Sequence, residues 1–404
     1  MNYFCGYLML LIIYTHTASL FSQPEYLYPV GSVIFEGSER IVVLYQQNTH
    51  LELWLWNPIT KQAVKGLSHY APAGLTILPS KTQFSFIDHE RIRIKSLSKK
   101  SPKALDMYPL YDFGLVYWID DENCYCSARE HHNFGIFHST SEGNLYRIVR
   151  SASCDYTYPQ KINSSLFYIK QTNQGACSIE RIEYPIDQIS SCEARFQNHK
   201  IITTDEKIDF ADQDTPCSCF SDKKADVLFA CNQPGQVLTF LTMKSETEGY
   251  FLKHIDHPFI ERYEKEMSFE CWYFSQEKPE EKWIAKKLFI FSIPLTFLYG
   301  EQRLYEAILR LLPNYQGNLV FYVSASQEGY LNVYQYNTLE ASSTCLAQGA
   351  NERYFFTPYF YNQQGFCGGM VKTEENTLAE GPTMQDWDAG EQIFTFPILQ
   401  YESK

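Results

Sequence analysis

Histidine, cysteine and glutamate crowd one short stretch, Cys124, Cys126, Glu130, His131 and His132. Thiolates and imidazoles are zinc ligands, but structural zinc takes paired Cys-x₂₋₄-Cys and His-x₃₋₅-His spacings. Cys-x-Cys on a strand sends both sulfurs to one face, as core residues do, and no metal is expected there. His254 and His257 read as part of a solvated loop. Asp209, Asp212 and Asp214 offer hard oxygens to calcium, without the mid-loop glycine and closing glutamate of an EF-hand, and read as an acidic loop. Asp88, Asp120 and Asp121 could serve the paired-carboxylate chemistry of glycoside hydrolysis, yet aspartate is also what turns select for. Neither a Gly-x-Ser-x-Gly elbow nor a glycine-rich phosphate loop occurs. Asn163-Ser164-Ser165 fits a glycosylation acceptor in a eukaryotic secretory host. No catalytic, cofactor-binding or metal residue is assigned, and no cofactor is expected.

The elements that would position any such group recur along the chain. Eight aromatic, apolar strand signals begin at Val42, Phe84, Cys124, Leu166, Val227, Cys271, Leu319 and Phe366, a mean spacing of about 46 residues, close to the propeller period of roughly 40–50. Most are followed, after a polar turn, by a second strand: Leu51–Asn57, Arg91–Leu97, Asn144–Arg150, Ile179–Pro185, Val237–Met243, Lys287–Ile293 and Tyr330–Asn337. Alternation such as Ile92/Ile94 covers one face and wets the other. Small antiparallel sheets cannot bury both faces alone, and radial stacking solves this. The expected fold is all-β, a single propeller of seven or eight four-stranded blades. Closure is expected between a strand near Tyr26–Phe35 and one near Ile393–Leu399. A two-sheet sandwich array is the competing reading. Two segments interrupt the period: acidic Asp205–Asp222, and Glu301–Leu312, read as a short helix or an inner strand.

Three segments carry a family likeness. Trp118–Asn123, Cys124–Arg129 and then Gly143–Ile148 form one unit; Pro79–Asp88 with Arg91–Ser96, and Leu319–Ser326 with Gly329–Tyr334, form two more. This pattern resembles the TolB-type, WD40-like propellers of bacteria, although Ser-Pro-Asp-Gly is absent. The resemblance implies a propeller from about residue 30 to 400 and, often, a periplasmic interaction protein.

Composition narrows the function. The net charge is −13, with no basic cluster longer than Arg91–Lys95, so phosphate neutralisation and nucleic-acid binding are not expected. Tyr7–Tyr14 is apolar but too short for a bilayer, which takes about 20 residues. The small residues after it make Met1–Ser22 read as a secretory signal cleaved after Ser19 or Ser22, with no transmembrane segment remaining. Of 12 cysteines an odd number would remain after cleavage, some of them paired in an oxidising compartment. The reading is a periplasmic or secreted, non-enzymatic propeller domain over residues 23–404. It is expected to be a monomer binding protein partners through one face. A propeller glycoside hydrolase and a cytoplasmic WD40-like scaffold stay open.

Overall fold

Period-two patterning is realised almost throughout as antiparallel strand. Arg91–Ser96 buries Ile92 and Ile94 and leaves Arg91 exposed; Cys177–Glu183 buries Cys177, Ile179 and Ile182. The structure is a computed structural model. It describes residues 25–183, 194–203, 225–255, 266–294, 312–371 and 394–397, apart from short connections. The segments read from sequence as signal, as acidic loop and as Glu301–Leu312 (Leu312 excepted), together with His131 and His257, lie outside these residues. Among the described residues no helix is long and apolar enough to cross a membrane.

The fold is an all-β propeller of four-stranded blades. The chain gathers into two compact units, Pro72–Leu309 and Met1–Ala71 with Arg310–Lys404. In the first unit, blade 2 is Ala73–Ile77, Gln83–Asp88, Arg91–Ser96 and Lys103–Asp106. Blade 3 is Val116–Trp118, Asn123–Glu130, Asn133–Thr140 and Leu145–Val149. Blade 4 is Cys154–Ile162, Ser165–Thr172, Cys177–Glu183 and Asp226–Cys231. Blade 5 is Gln236–Met243, Glu248–Ile255, Glu266–Ser275 and Ile284–Pro294. In the second unit, blade 1 is Glu25–Phe35, Ser38–Gln47, His50–Trp56 and Ala63–Tyr70. Blade 6 is Asn314–Gln316, Leu319–Ala325, Leu331–Asn337 and Ser342–Ala347.

Six blades stand where seven or eight are expected, and two of the eight strand signals account for the difference. Those at Leu166 and Val227 belong to one blade, as second and fourth strands of blade 4. Between them the chain leaves that blade, and Ala194–Gln197 with Lys200–Thr203 extend the sheet of blade 3 through Leu145↔Phe196 and Tyr146↔Arg195. The last signal is split. Gln364–Cys367 joins a three-stranded sheet with Tyr359–Tyr361 and Phe394–Pro397, whereas Gly369–Val371 pairs with Glu25–Leu27. The expected closure by Ile393–Leu399 is therefore replaced: Gly369–Val371 closes on the N-terminal strand, and Phe394–Pro397 pairs elsewhere. The expected succession of Cys124–Arg129 and Gly143–Ile148 also changes, because Asn133–Thr140 comes between them.

Local chemistry explains the turns. Glu36 and Gly37 both have positive φ, 50° and 73°, the type I′ geometry whose twist matches that of a two-residue hairpin. Pro29 sits at a bulge in the first strand, where a missing N–H costs no ladder bond. The core lies between blades. Ile92, Ile94 and Leu105 of blade 2 pack on Cys124, Cys126 and Phe137 of blade 3, and Phe167, Ile169 and Ile179 of blade 4 pack on Leu238, Leu241 and Phe251 of blade 5.

Candidate functional site

Within Pro72–Leu309 the polar and titratable groups that escape water concentrate at the blade junctions. The richest junction lies between blades 3 and 4. Tyr117, Tyr125, His138 and Tyr146 stand opposite one another on four successive strands, so their side chains form one row. Against it pack Tyr156, Leu166, Tyr168 and Ile182 of blade 4. The imidazole of His138 lies 5.2 Å from the Tyr125 ring and is stacked at 5.8 Å on Tyr146.

A turn at the end of the row fixes its tautomer. Asp120 Oδ1 accepts the backbone N–H groups of Glu122 and Asn123, each at 2.7 Å, and Asn123 Nδ2 donates to both Asp120 oxygens at 3.0 Å. With its amide nitrogen so used, Asn123 presents Oδ1 to His138 Nε2 at 3.2 Å. The imidazole proton therefore sits on Nε2. Nδ1 is buried without a hydrogen-bond partner in the protein. Burial lowers the His138 pKa to about 4; Asp120 opposes this shift and Lys161 adds to it. The ring is neutral at pH 7.

The neighbouring groups are similarly engaged. Tyr117 donates its hydroxyl to the Lys161 carbonyl at 3.3 Å. Glu180 is buried; it accepts from Tyr168 at 3.2 Å and Ser178 at 3.0 Å, and pairs with Lys170 at 3.5 Å. Burial, with Glu180 nearby, pushes the Tyr168 phenol well above its ordinary range. Asp155 Oδ1 accepts the Phe134 N–H at 2.7 Å and Asn133 Nδ2 at 3.2 Å, a second tie between the two blades.

The adjoining junctions have their own polar ties. Between blades 2 and 3, Trp118 Nε1 donates to Ser85 Oγ at 2.7 Å, and Asp121 accepts the Ser80 N–H at 3.1 Å. Between blades 4 and 5, Gln160 donates Nε2 to the Leu241 carbonyl at 2.8 Å and accepts the Met243 N–H at 2.6 Å. A bulge in its strand, with Tyr158 at φ 54°, precedes Gln160.

On blade 5 a partly buried charged cluster lies beside the outermost strand. Glu270 accepts from Trp272 Nε1 at 2.9 Å and Lys287 at 3.2 Å, with Lys253 at 3.8 Å. Lys253 also lies 5.7 Å above the Trp272 ring. Val227 on the last strand of blade 4 and Ile284 and Ile290 on the last strand of blade 5 are 58%, 65% and 52% exposed. Both strands end their sheets.

The residues singled out from sequence fall as follows. Cys124 and Cys126 share a face and lie fully buried against blade 2; burial raises the Cys124 thiol and pushes Cys126 up to about 12, which disfavours the thiolate a metal takes. His132 is exposed. His254 is half-buried and packs on Phe269. Among the described residues no three His, Cys, Asp or Glu come together as a metal-holding group. Asp120 and Asp121 are engaged in turn and blade contacts. Asp88 lies at the far end of the strand whose first residue, Gln83, meets Asp121, roughly 16 Å away at 3.3 Å per residue. Asn163 is exposed in a two-residue hairpin turn. His138, Gln160 and the Trp118–Ser85 pair were not singled out from sequence. Their one sequence signal is a polar residue inside an otherwise apolar strand.

No protein-family model matches the chain, and no curated relative does. Solved structures share the fold at low identity. A prolyl endopeptidase structure has a TM-score of 0.51 and 8% identity, covering 87% of this chain and 46% of its own. An oligogalacturonate lyase in complex with manganese has a TM-score of 0.51 and 11% identity, covering 87% and 88%. TolB from Acinetobacter baumannii, of the type resembled in sequence, has 0.42 and 11%, covering 82% and 65%. The chain thus spans less than half the length of the prolyl endopeptidase. These likenesses concern the fold.

Proposed function

We propose that the chain is an exported, non-enzymatic propeller domain, residues 23–404 behind a signal segment 1–22, that binds a protein partner along the outer strands of blades 4 and 5. The observation that carries this reading is the exposure of Val227, Ile284 and Ile290 on strands that end their sheets. An edge strand offers unpaired N–H and C=O groups to another chain, and exposed apolar side chains on it favour strand addition. Half-buried Trp272, flanked by Lys253 and Lys287, supplies an aromatic anchor with a charged rim beside it. Enzymatic relatives in fold supply the alternative reading. Against it, the titratable groups of the blade 3–4 junction are already spent on holding blades together, and His138 is 1% exposed.

The test is cross-linking in extracts of the compartment that holds the protein, with wild type and a Val227→Glu/Ile284→Glu/Ile290→Glu variant. Wild type should capture a defined protein that the variant loses while keeping its near-native spectrum. Capture unchanged by the three substitutions, or repeated failure of wild type to capture anything, overturns the reading. Turnover of peptide or pectic oligosaccharide by wild type would replace it with an enzymatic one. N-terminal sequencing of the mature protein tests export: a start at Leu20 or Gln23 supports it, and an intact Met1 contradicts it.

A further inference from the structure

Cys177 and Cys231 face each other directly in blade 4. Cys177 opens the third strand, after a turn in which Gly175 has φ 86° and its N–H bonds to the Thr172 carbonyl; Cys231 closes the fourth. The register places Cys177 opposite Cys231, Ser178 opposite Ala230 and Ile179 opposite Phe229. Both cysteines are buried, at 2% and 8% exposure. Opposed antiparallel residues hold their Cα atoms about 4.5–5.5 Å apart, inside the roughly 4.4–6.8 Å that a disulfide spans. Among the described residues no other cysteine has a cysteine as its register partner: Cys154 faces Thr172, Cys271 faces Leu252 and Phe289, and Cys345 faces Tyr334.

We infer that Cys177 and Cys231 form a disulfide that staples the outermost strand of blade 4 to its neighbour. The need for one is built into the path of the chain. Between the two cysteines the polypeptide leaves blade 4 after Glu183, adds Ala194–Gln197 and Lys200–Thr203 to blade 3, and returns at Asp226, after 42 intervening residues, as an edge strand. A long excursion loses more loop-closure entropy on folding than a hairpin does. The returning strand is held on one side only, by Cys177–Glu183, and its ladder is interrupted by a bulge at Ile179/Glu180. A cross-link at its last residue removes that entropy from the unfolded chain and fixes the strand that carries Val227.

The bond forms by thiol–disulfide exchange during folding, before the pair is buried. One cysteine, as thiolate, attacks the disulfide of an oxidoreductase or of oxidised glutathione and releases one donor thiolate. The second cysteine, as thiolate, then attacks the mixed disulfide and releases the other. The protein loses two protons and two electrons, and the donor gains both. The inference rests on the exported reading for its oxidant, and the test separates the two.

Full-length protein is prepared by its natural export route and, separately, in a reducing cytosol followed by unfolding and refolding in a glutathione redox buffer. Each sample is alkylated in denaturant and mapped by mass spectrometry without reduction. A Cys177–Cys231 linked peptide in both samples is the expected result. The link in the glutathione sample alone sustains the pair and overturns export into an oxidising compartment. Alkylated Cys177 and Cys231 in the refolded sample, or either joined to Cys192, Cys217 or Cys219, overturns the pair. In linked protein, reduction should speed amide exchange across Asp226–Cys231 about tenfold or more, and a Cys177→Ala/Cys231→Val variant should show the fast rate with or without reductant. A rate equal in linked and reduced protein removes the stapling role.

Discussion

Trp118 and Ser85 meet across the junction of blades 2 and 3, the indole N–H donating to the hydroxyl at 2.7 Å with the two residues 5% and 1% exposed. A large apolar ring thus fills the junction while its polar atom is satisfied by the neighbouring blade. Ser85→Ala leaves the indole N–H buried without that partner and should cost about 1–3 kcal/mol. Trp118→Phe/Ser85→Ala should cost less than the sum of its single variants. Urea unfolding of the four proteins measures the coupling; additive losses would show that the bond contributes nothing beyond packing.

Gln160 acts as a one-residue strand toward blade 5, meeting a carbonyl and an N–H with a single amide. Gln160→Met keeps length and apolar contact but orphans both backbone groups. Its expected cost is about 2–4 kcal/mol, seen as a lower denaturant midpoint at unchanged slope. Gln160→Glu sets a carboxylate oxygen against the Leu241 carbonyl and buries an unpaired charge, and should cost more than Gln160→Met at neutral pH. Equal midpoints for wild type and Gln160→Met would refute the tie.

The pH dependence follows from His138. Its folded pKa of about 4 lies below the 6.5 of an unperturbed histidine. Between those values the unfolded chain binds the proton that the folded chain refuses, so stability falls as pH drops through that window and is complete above it. The loss reaches roughly 3 kcal/mol at most, at 1.36 kcal/mol per pH unit. His138→Phe, which keeps an aromatic ring between Tyr125 and Tyr146, should remove this slope between pH 6.5 and 4. Melting temperatures across that range, wild type against variant, check it; parallel curves would place the acid sensitivity elsewhere.

Gly249 opens the second strand region of blade 5 against a crowded wall. A Cβ there would lie 2.8 Å from Met243 Sδ, 2.8 Å from the Thr242 carbonyl and 2.9 Å from Phe274 Cε1. The methionine can swing aside, but the carbonyl is backbone. Gly249→Ala should therefore destabilise by about 1–3 kcal/mol, measured by thermal unfolding, although alanine is less entropically costly than glycine in a strand.

The strands and the propeller class were legible because period two and a spacing near 46 residues are properties of the sequence itself. Blade number was not, because a strand signal carries no label for its place in a sheet. Val227–Gln233 looks like an opening strand and is a closing one, and only the detour through Ala194–Thr203 reveals this. The junction chemistry was less visible still. His138 lies in Asn123–Thr140 hairpin sequence that offers no spacing motif, and it meets Asn123 and Tyr146 only through register. Of the carboxylates that stand out in the sequence, Asp120 bonds within its own turn, whereas Asp121 reaches Ser80 and Gln83 of the neighbouring blade.

The ribbon that blade 4 lends to blade 3 makes the two inseparable as building blocks. Propeller blades are natural cassettes for duplication, deletion or grafting, but a cut between Val149 and Cys154 would leave Ala194–Thr203 in one fragment and its partner Leu145–Val149 in the other. Residues 116–231 therefore have to be inherited, transplanted or circularly permuted as one piece.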